Sequence, residues 1–148
     1  MKEYSLKRQT WFPKDLEEVF SFFSEPRNLE EITPPWLKFK VLKTNVCSIA
    51  EGALIDYSFK IHGIPLQWQS EITVWDPPYC FVDEQRRGPY RFWLHEHRFV
   101  AKDGGTLAED FVRYSVSGGW LVNKLLVAPD LQRIFNYRAN QLVAHFGD

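Results

Sequence analysis

The sequence predicts an α+β protein in which about seven antiparallel strands form one curved sheet around a long C-terminal α-helix. Three observations predict it. From Leu37 to Ser117 apolar and polar residues alternate in short runs, each bounded by turn residues. The separators between these runs are too short for parallel crossovers, which need about a dozen residues or more, so the strands form an antiparallel meander. The final stretch changes to apolar spacings of three and four, the signature of an amphipathic helix. A lone antiparallel sheet must cover its apolar face, and that helix is the only long element available to do so. With 148 residues, the chain is most economically one domain spanning 1–148.

The elements follow in order. Tyr4, Leu6, Arg8 and Thr10 alternate with Ser5, Lys7, Gln9 and Trp11 in a first strand that runs to Phe12 and is closed by Pro13. Asp15 followed by Glu18 has capping-box spacing, and the helix behind it carries Leu16, Val19, Phe20, Phe22 and Phe23. Ser24 and Pro26 restart the chain into a second short helix with Leu29 and Ile32 apolar. Thr33-Pro34-Pro35 stops it, because proline lacks the donor and restricts the residue before it. Strands are then expected at 37–46, 54–62, 67–76, 80–87, 91–101 and 106–117. They are separated by Glu51-Gly52, Gly63-Ile64-Pro65, Asp76-Pro77-Pro78, Gly88-Pro89 and Asp103-Gly104-Gly105. Leu131, Ile134, Phe135, Arg138, Leu142 and Phe146 form the stripe of the last helix. Pro129-Asp130 marks either its start or a kink, if 120–127 is already helical. Gly118-Gly119 reads as a hinge beneath that helix or a plain turn into it.

Hydrophobic residues make up 45% and charged residues 25%, ordinary values for a globular protein. Aromatic residues reach 16%, enough for either a bulky core or a cavity with rigid apolar walls. Net charge is −1 with Lys and Arg scattered, so nucleic acid is not an expected partner. Cys47 and Cys80 form no CxxC pattern, which favours a reduced protein. No secretory h-region follows Met1 and no run has the length of a membrane span, so the expected address is the cytoplasm, as a monomer or weak homodimer. Glycine-rich phosphate loops, GxSxG and HExxH are absent from the sequence.

The stretch that carries chemistry is Trp93-Leu94-His95-Glu96-His97-Arg98-Phe99. As a strand it puts Trp93, His95, His97 and Phe99 on one face, and two buried imidazoles require partners. Strand 67–76 should turn Trp68, Ser70, Ile72 and Val74 inward, and strand 54–62 should turn Ile55, Tyr57, Phe59 and Ile61 inward. In strand 106–117 the inward set is Ala108, Asp110, Val112, Tyr114 and Val116. A tight turn at Asp103-Gly104 sets Asp110 opposite His97 and Tyr114 opposite Trp93. A three-residue turn at Gly88-Pro89-Tyr90, with no bulge, sets Asp83 opposite His95 and Gln85 opposite Trp93. Asp83, His95, His97 and Asp110 then form a polar island on an aromatic floor. It could orient the head of an apolar ligand, support acid–base chemistry, hold a metal, or serve as a buried hydrogen-bond network. The two-residue His spacing says little for a metal, and neither a metal nor a cofactor is expected. Arg138 would pair with a ligand acid or with a sheet carboxylate. Trp36 would cap the cavity mouth or staple against the sheet.

The chain resembles the START/Bet v 1-like superfamily, which has the helix-grip fold with β-α-α-β6-α order, and within it the bacterial SRPBCC (polyketide cyclase/dehydrase-like) branch. The resemblance rests on Phe12-Pro13 with Glu18-Val19-Phe20, Pro26-Arg27-Asn28-Leu29 and Thr33-Pro34-Pro35-Trp36. It continues through Ile55-Asp56-Tyr57, Trp75-Asp76-Pro77-Pro78, Phe81-Val82-Asp83-Glu84-Gln85, Gly88-Pro89-Tyr90 and the strand from Trp93 to Phe99. It implies a cavity between sheet and C-terminal helix, and no fixed catalytic motif. Candidate cavity residues are Trp36, Tyr57, Phe59, Trp68, Ser70, Asp83, Gln85 and Trp93, with His95, His97, Asp110, Val112, Tyr114, Phe135 and Arg138. The expected function is binding of a small, largely hydrophobic molecule with a polar group (lipid, quinone or polyketide-like). One alternative is a cyclase/dehydratase-like enzyme using a His97–Asp110 acid–base pair assisted by Tyr114. The other is an interaction module with a vestigial cavity.

Overall fold

The computed structural model describes residues 2–147; Met1 and Asp148, the two ends of the expected domain, lie outside the described residues. Seven strands form one antiparallel sheet: β1 (Tyr4–Phe12), β2 (Lys40–Thr44), β3 (Leu54–Ile61), β4 (Ile64–Asp76), β5 (Cys80–Arg87), β6 (Phe92–Lys102) and β7 (Gly105–Ser115). Their spatial order is β1-β7-β6-β5-β4-β3-β2, a meander from β2 to β7 with the N-terminal strand added along β7. The sheet is curved around the C-terminal helix, as in the helix-grip fold. Between β1 and β2 come α1 (Leu16–Phe23), a 3-10 turn at Pro26–Asn28, α2 (Leu29–Ile32) and a second 3-10 turn at Pro35–Leu37. The Asp15 side chain accepts a hydrogen bond from the Glu18 backbone N–H at 2.8 Å, capping α1 as its sequence spacing predicts.

Two expectations need correction, and one open alternative is decided. The strand expected at 37–46 shrinks to β2. Pro35–Leu37 coils into a 3-10 turn, and Lys38 takes a left-handed conformation (φ 49°) that ends it, so no extended pairing begins before Lys40. Val74 is not inward. The β4–β5 register shifts between Ile72 and Val74, and this bulge turns Val74 out to solvent and Trp75 in against Phe20 and Phe81. Of the two readings of Pro129-Asp130, the one in which 120–127 is already helical holds. Gly119–Val122 (α3), a π-helical turn at Asn123–Val127 and Ala128–Phe146 (α4) run on without a break. Pro129 has no N–H to donate into the preceding turn, and the ladder loosens to π spacing directly before it.

The core has two lobes. One gathers Phe12, Phe20, Phe22, Phe23, Phe81, Phe99 and Phe146 with aliphatic residues of β2 to β4. The other gathers Trp93, Val112, Tyr114, Leu131 and Phe135. Trp68 packs against both, and the inward face of β6 runs from the second lobe to the first.

Candidate functional site

The two imidazoles sit at the junction of those lobes. His95 and His97 are 7% and 5% exposed, values that require their polar atoms to be satisfied inside the protein. Backbone registers follow from the turns: Trp93 pairs with Tyr114, His97 with Asp110 and Asp83 with His95. The side chains do not follow those pairs. His97 Nε2 donates to Asp83 Oδ2 at 2.8 Å, and His95 Nε2 lies 2.8 Å from Asp110 Oδ1. The hydrogen bonds thus cross the expected pairs, while His97 Nδ1 still lies 3.7 Å from Asp110 Oδ1, the partner expected for it.

Packing gives the reason. Phe81, directly opposite His97, stacks on it at 4.1 Å, and the His95 ring stacks on the other side at 3.7 Å. Rings held in such a column cannot tip toward the carboxylate across the ladder. They reach the diagonal one instead, which in a twisted antiparallel pair is still within side-chain range. Arg138 on α4 donates from Nη1 to Asp110 Oδ1 at 2.9 Å, drawing that carboxylate toward the helix.

Electrostatics assigns the protons. Burial raises the Asp83 carboxyl, but the hydrogen bond from His97, helped by nearby positive charge including Arg138, outweighs it and holds Asp83 below the usual carboxylate range. Burial likewise opposes the charge of Asp110, and the Arg138 guanidinium with His95 holds it lower still. His97 moves the other way: burial, then the neighbouring His95, outweigh both carboxylates and push it down to about 4. At neutral pH Asp83 is therefore ionised and His97 neutral, with the shared proton on Nε2 and a lone pair on Nδ1. That Nδ1 is buried without a hydrogen-bond partner, its nearest recorded polar neighbour being Asp110 Oδ1 at 3.7 Å, and Nε and Nη2 of Arg138 are also buried without hydrogen bonds. The Arg138 guanidinium packs over the Phe23 and Phe135 rings at 5.2 and 5.4 Å.

A cavity of about 210 Å³ opens beside this cluster, and Asp83, His95, His97 and Arg138 all line it. Its apolar wall includes Tyr57, Phe59, Trp68, Trp93 and Phe135 from the expected set, with Ser70 among them. The Trp68 indole N–H donates to Ser70 Oγ at 2.9 Å, so that donor in the wall is satisfied. A larger outer groove of about 650 Å³ shares Leu37, Ile61, Tyr90, Leu131 and Ile134 with the inner cavity. It contains none of the histidine cluster, which lines the smaller space alone.

Five expected residues stand outside the inner lining. Trp36 lines the outer groove and meets Tyr137 edge-on at 5.8 Å. Val112 is 0% exposed inside the second core lobe. Gln85 is occupied by the Tyr90 backbone, donating to its carbonyl at 2.7 Å and accepting from its N–H at 3.1 Å. Tyr114 donates its hydroxyl to Asn123 Oδ1 at 2.7 Å, and Asp110 lies behind His95 and Arg138. Sequence reasoning missed Phe81, Tyr90, Phe39 and the α2 residues Leu29 and Ile32. Of these only Phe81 was signalled, by its alternation with Asp83 on β5.

Ligand atoms of Asp83, His95 and His97 lie within 4.8 Å of one another, close enough to raise the question of a metal. The imidazole planes differ by only 21°, and imidazole lone pairs lie in the ring plane. Two nearly parallel rings in one stack cannot aim both lone pairs at a single tetrahedral centre, so this arrangement suits a hydrogen-bond network better than an ion.

A family profile described as polyketide cyclase / dehydrase and lipid transport matches residues 12–143. The chain belongs to that family. No curated protein matches it. Among solved structures, protein CV1439 from Chromobacterium violaceum is similar at 13% identity and a TM-score of 0.77, over 98% of this chain and 99% of that one. The Zhui aromatase/cyclase from Streptomyces sp. R1128 is similar at 12% identity and TM-score 0.75, over 97% and 93%. Ginseng major latex-like protein 151 from Panax ginseng is similar at 14% identity and TM-score 0.72, over 99% of each chain. At such identities the likeness shows the shared fold. Within the polyketide cyclase / dehydrase and lipid transport family, the particulars of this site rest on its own side chains.

Proposed function

We propose that this single-domain member of the family binds a small, largely apolar molecule whose polar group is a hydroxyl or similar donor–acceptor. One observation carries the reading: the wall of an aromatic cavity holds a buried acceptor, His97 Nδ1, and buried donors on Arg138, all without partners. Unpaired buried polar atoms cost about 1–3 kcal/mol each, so a ligand group that satisfies them gains affinity that an all-carbon analogue lacks. Ionised Asp83 and Asp110 against the single guanidinium of Arg138 disfavour a free anion.

Titration with naphthol and naphthalene, followed through Trp68 and Trp93 fluorescence, tests this. Naphthol should bind at least about tenfold tighter, a difference of roughly 1.4 kcal/mol. His97→Phe should erase that preference while keeping the stack on Phe81. Equal affinity for both compounds, or binding of neither, would overturn the reading. We propose further that the protein is cytoplasmic, with Cys47 and Cys80 as reduced thiols.

A second reading, cyclase/dehydratase-like catalysis, is favoured by one feature: a neutral His97 oriented by an ionised Asp83, the arrangement of a base and its orienting carboxylate. The pair differs from the one expected on sequence, with Asp83 in the place of Asp110 and Tyr114 committed to Asn123. Catalysis predicts that a bound β-hydroxy ketone leaves the protein lighter by one water; simple binding predicts that it leaves unchanged.

A further inference from the structure

The outer groove has an inverted amphipathic rim. In the α3 and π-turn segment, polar Asn123 points inward onto Tyr114, while Trp120, Leu121, Leu125 and Leu126 are 51–62% exposed. An isolated helix in water does the reverse. Among the described residues, seven large apolar side chains are more than half exposed. Two of them, Trp36 and Leu126, line the outer groove. Four more, Trp120, Leu121, Leu125 and Ile64, lie one or two residues along the chain from residues that line it and with them form its rim, and only Tyr79 lies elsewhere. Large exposed apolar side chains scattered singly are ordinary; six clustered at a cavity mouth mark a contact surface.

Charge identifies the kind of partner. Segments 36–40, 60–65, 87–91 and 116–127, which supply the rim, contain Lys38, Lys40, Lys60, Arg87, Arg91 and Lys124 and none of the chain's 19 Asp and Glu residues. None of these six cations takes part in a salt bridge with a described residue. Asp130, the carboxylate lining the groove, is already paired with His62 at 2.9 Å and with Arg133. A chain of net charge −1 thus places an unpaired cationic ring around its most exposed apolar side chains. Tryptophan and leucine suit the acyl–headgroup boundary, and lysine and arginine suit anionic headgroups.

We propose that this rim docks on the surface of an anionic lipid bilayer, with Trp120, Leu121, Leu125 and Leu126 dipping into it and the groove opening toward the acyl chains. Docking stands on the rim alone; its use for loading the inner cavity rests on the ligand reading above.

Co-sedimentation of the whole protein with vesicles tests docking without any ligand. Vesicles of phosphatidylcholine with roughly a third phosphatidylserine should retain the protein and blue-shift its tryptophan emission, whereas pure phosphatidylcholine should retain much less. Lys124→Glu and Arg91→Glu should each weaken retention about fivefold or more, as expected for roughly 1 kcal/mol per cation near an anionic surface. Leu125→Ser with Leu126→Ser should abolish the blue shift. Both leucines are exposed, so thermal unfolding should stay at the wild-type value. No retention on anionic vesicles, or retention indifferent to phosphatidylserine, would overturn docking. So would a concentration-dependent dimer that the double serine variant dissolves, because the rim would then be a self-association surface. If docking holds and naphthol fails to bind, the ligand reading alone falls.

Discussion

Two regions of the inward sheet face differ in what they do with the same kind of material. At one end Phe12, Phe20, Phe23, Phe81 and Phe99 meet mostly edge to face or tilted, with Phe81 and Phe99 stacked, and leave no polar atom to satisfy. At the other end Trp68, Trp93, Tyr90 and Phe135 stand around open space, beside carboxylates, imidazoles and a guanidinium. The strand β6 supplies both, with Phe99 in the closed lobe, Trp93 in the open one and the two histidines between. The closed lobe gives stability through packing density, and the open lobe gives up packing for a cavity whose polar wall must be held by pairing. Close packing and open cavity are thus separated along one strand.

Substitutions should respect that separation. The largest effect belongs to the closed lobe: Phe99→Ala should cost about 4 kcal/mol in urea unfolding while naphthol affinity, measured on the folded fraction, stays near wild type. A loss below about 1 kcal/mol would show that the lobe is not the anchor. Asp110→Asn comes next, at roughly 3 kcal/mol, because it strips the buried Arg138 of its counter-charge. It should also lower naphthol affinity, joining stability and binding where Phe99→Ala keeps them apart.

Acid should find the open lobe first. In the folded protein His97 protonates near 4, against an ordinary value of 6.5 in the unfolded chain. Below about pH 6.5 the unfolded chain takes up a proton that the folded protein refuses, so stability falls progressively down to about pH 4. At about 1.4 kcal/mol per tenfold change, the loss reaches roughly 3 kcal/mol. Asp83 and Asp110, depressed in the fold, add a further loss as pH falls through the unfolded carboxylate range. Urea midpoints across this range, in wild type and His97→Phe, measure it; the variant should be flat between pH 6.5 and 4.5. A wild type equally flat there would show that His97 is not held neutral.

Smaller effects mark the edges of the comparison. Tyr114→Phe should cost about 1–2 kcal/mol by leaving Asn123 Oδ1 buried without its donor, and melting curves will show whether it does. Val74→Thr, on the outward side of the β4 bulge, should stay within about 0.5 kcal/mol. A large loss there would mean that the bulge itself depends on Val74.

The amino-acid sequence by itself determined the element order, the inward parity of most strands and the pairing of β5, β6 and β7. These are local: period-two patterning and turn chemistry set which residues share a face and which backbones meet, so the turn at Asp103-Gly104 is enough to bring Asp110 beside His97. Tertiary structure decided the rest. The bulge that replaces Val74 with Trp75 answers to α1 packing, through Phe20, and has no mark in the alternation of β4. Tyr114 and Gln85 face inward as their parity predicts, yet each is claimed by a group far from its own strand pattern, Asn123 or the Tyr90 backbone. Above all, the choice of which imidazole meets which carboxylate lay beyond register. Register brings four side chains within reach, but the stack of Phe81, His97 and His95 and the pull of Arg138 from the helix select the diagonal bonds. That choice depends on ring positions in three dimensions, which no spacing along a chain encodes.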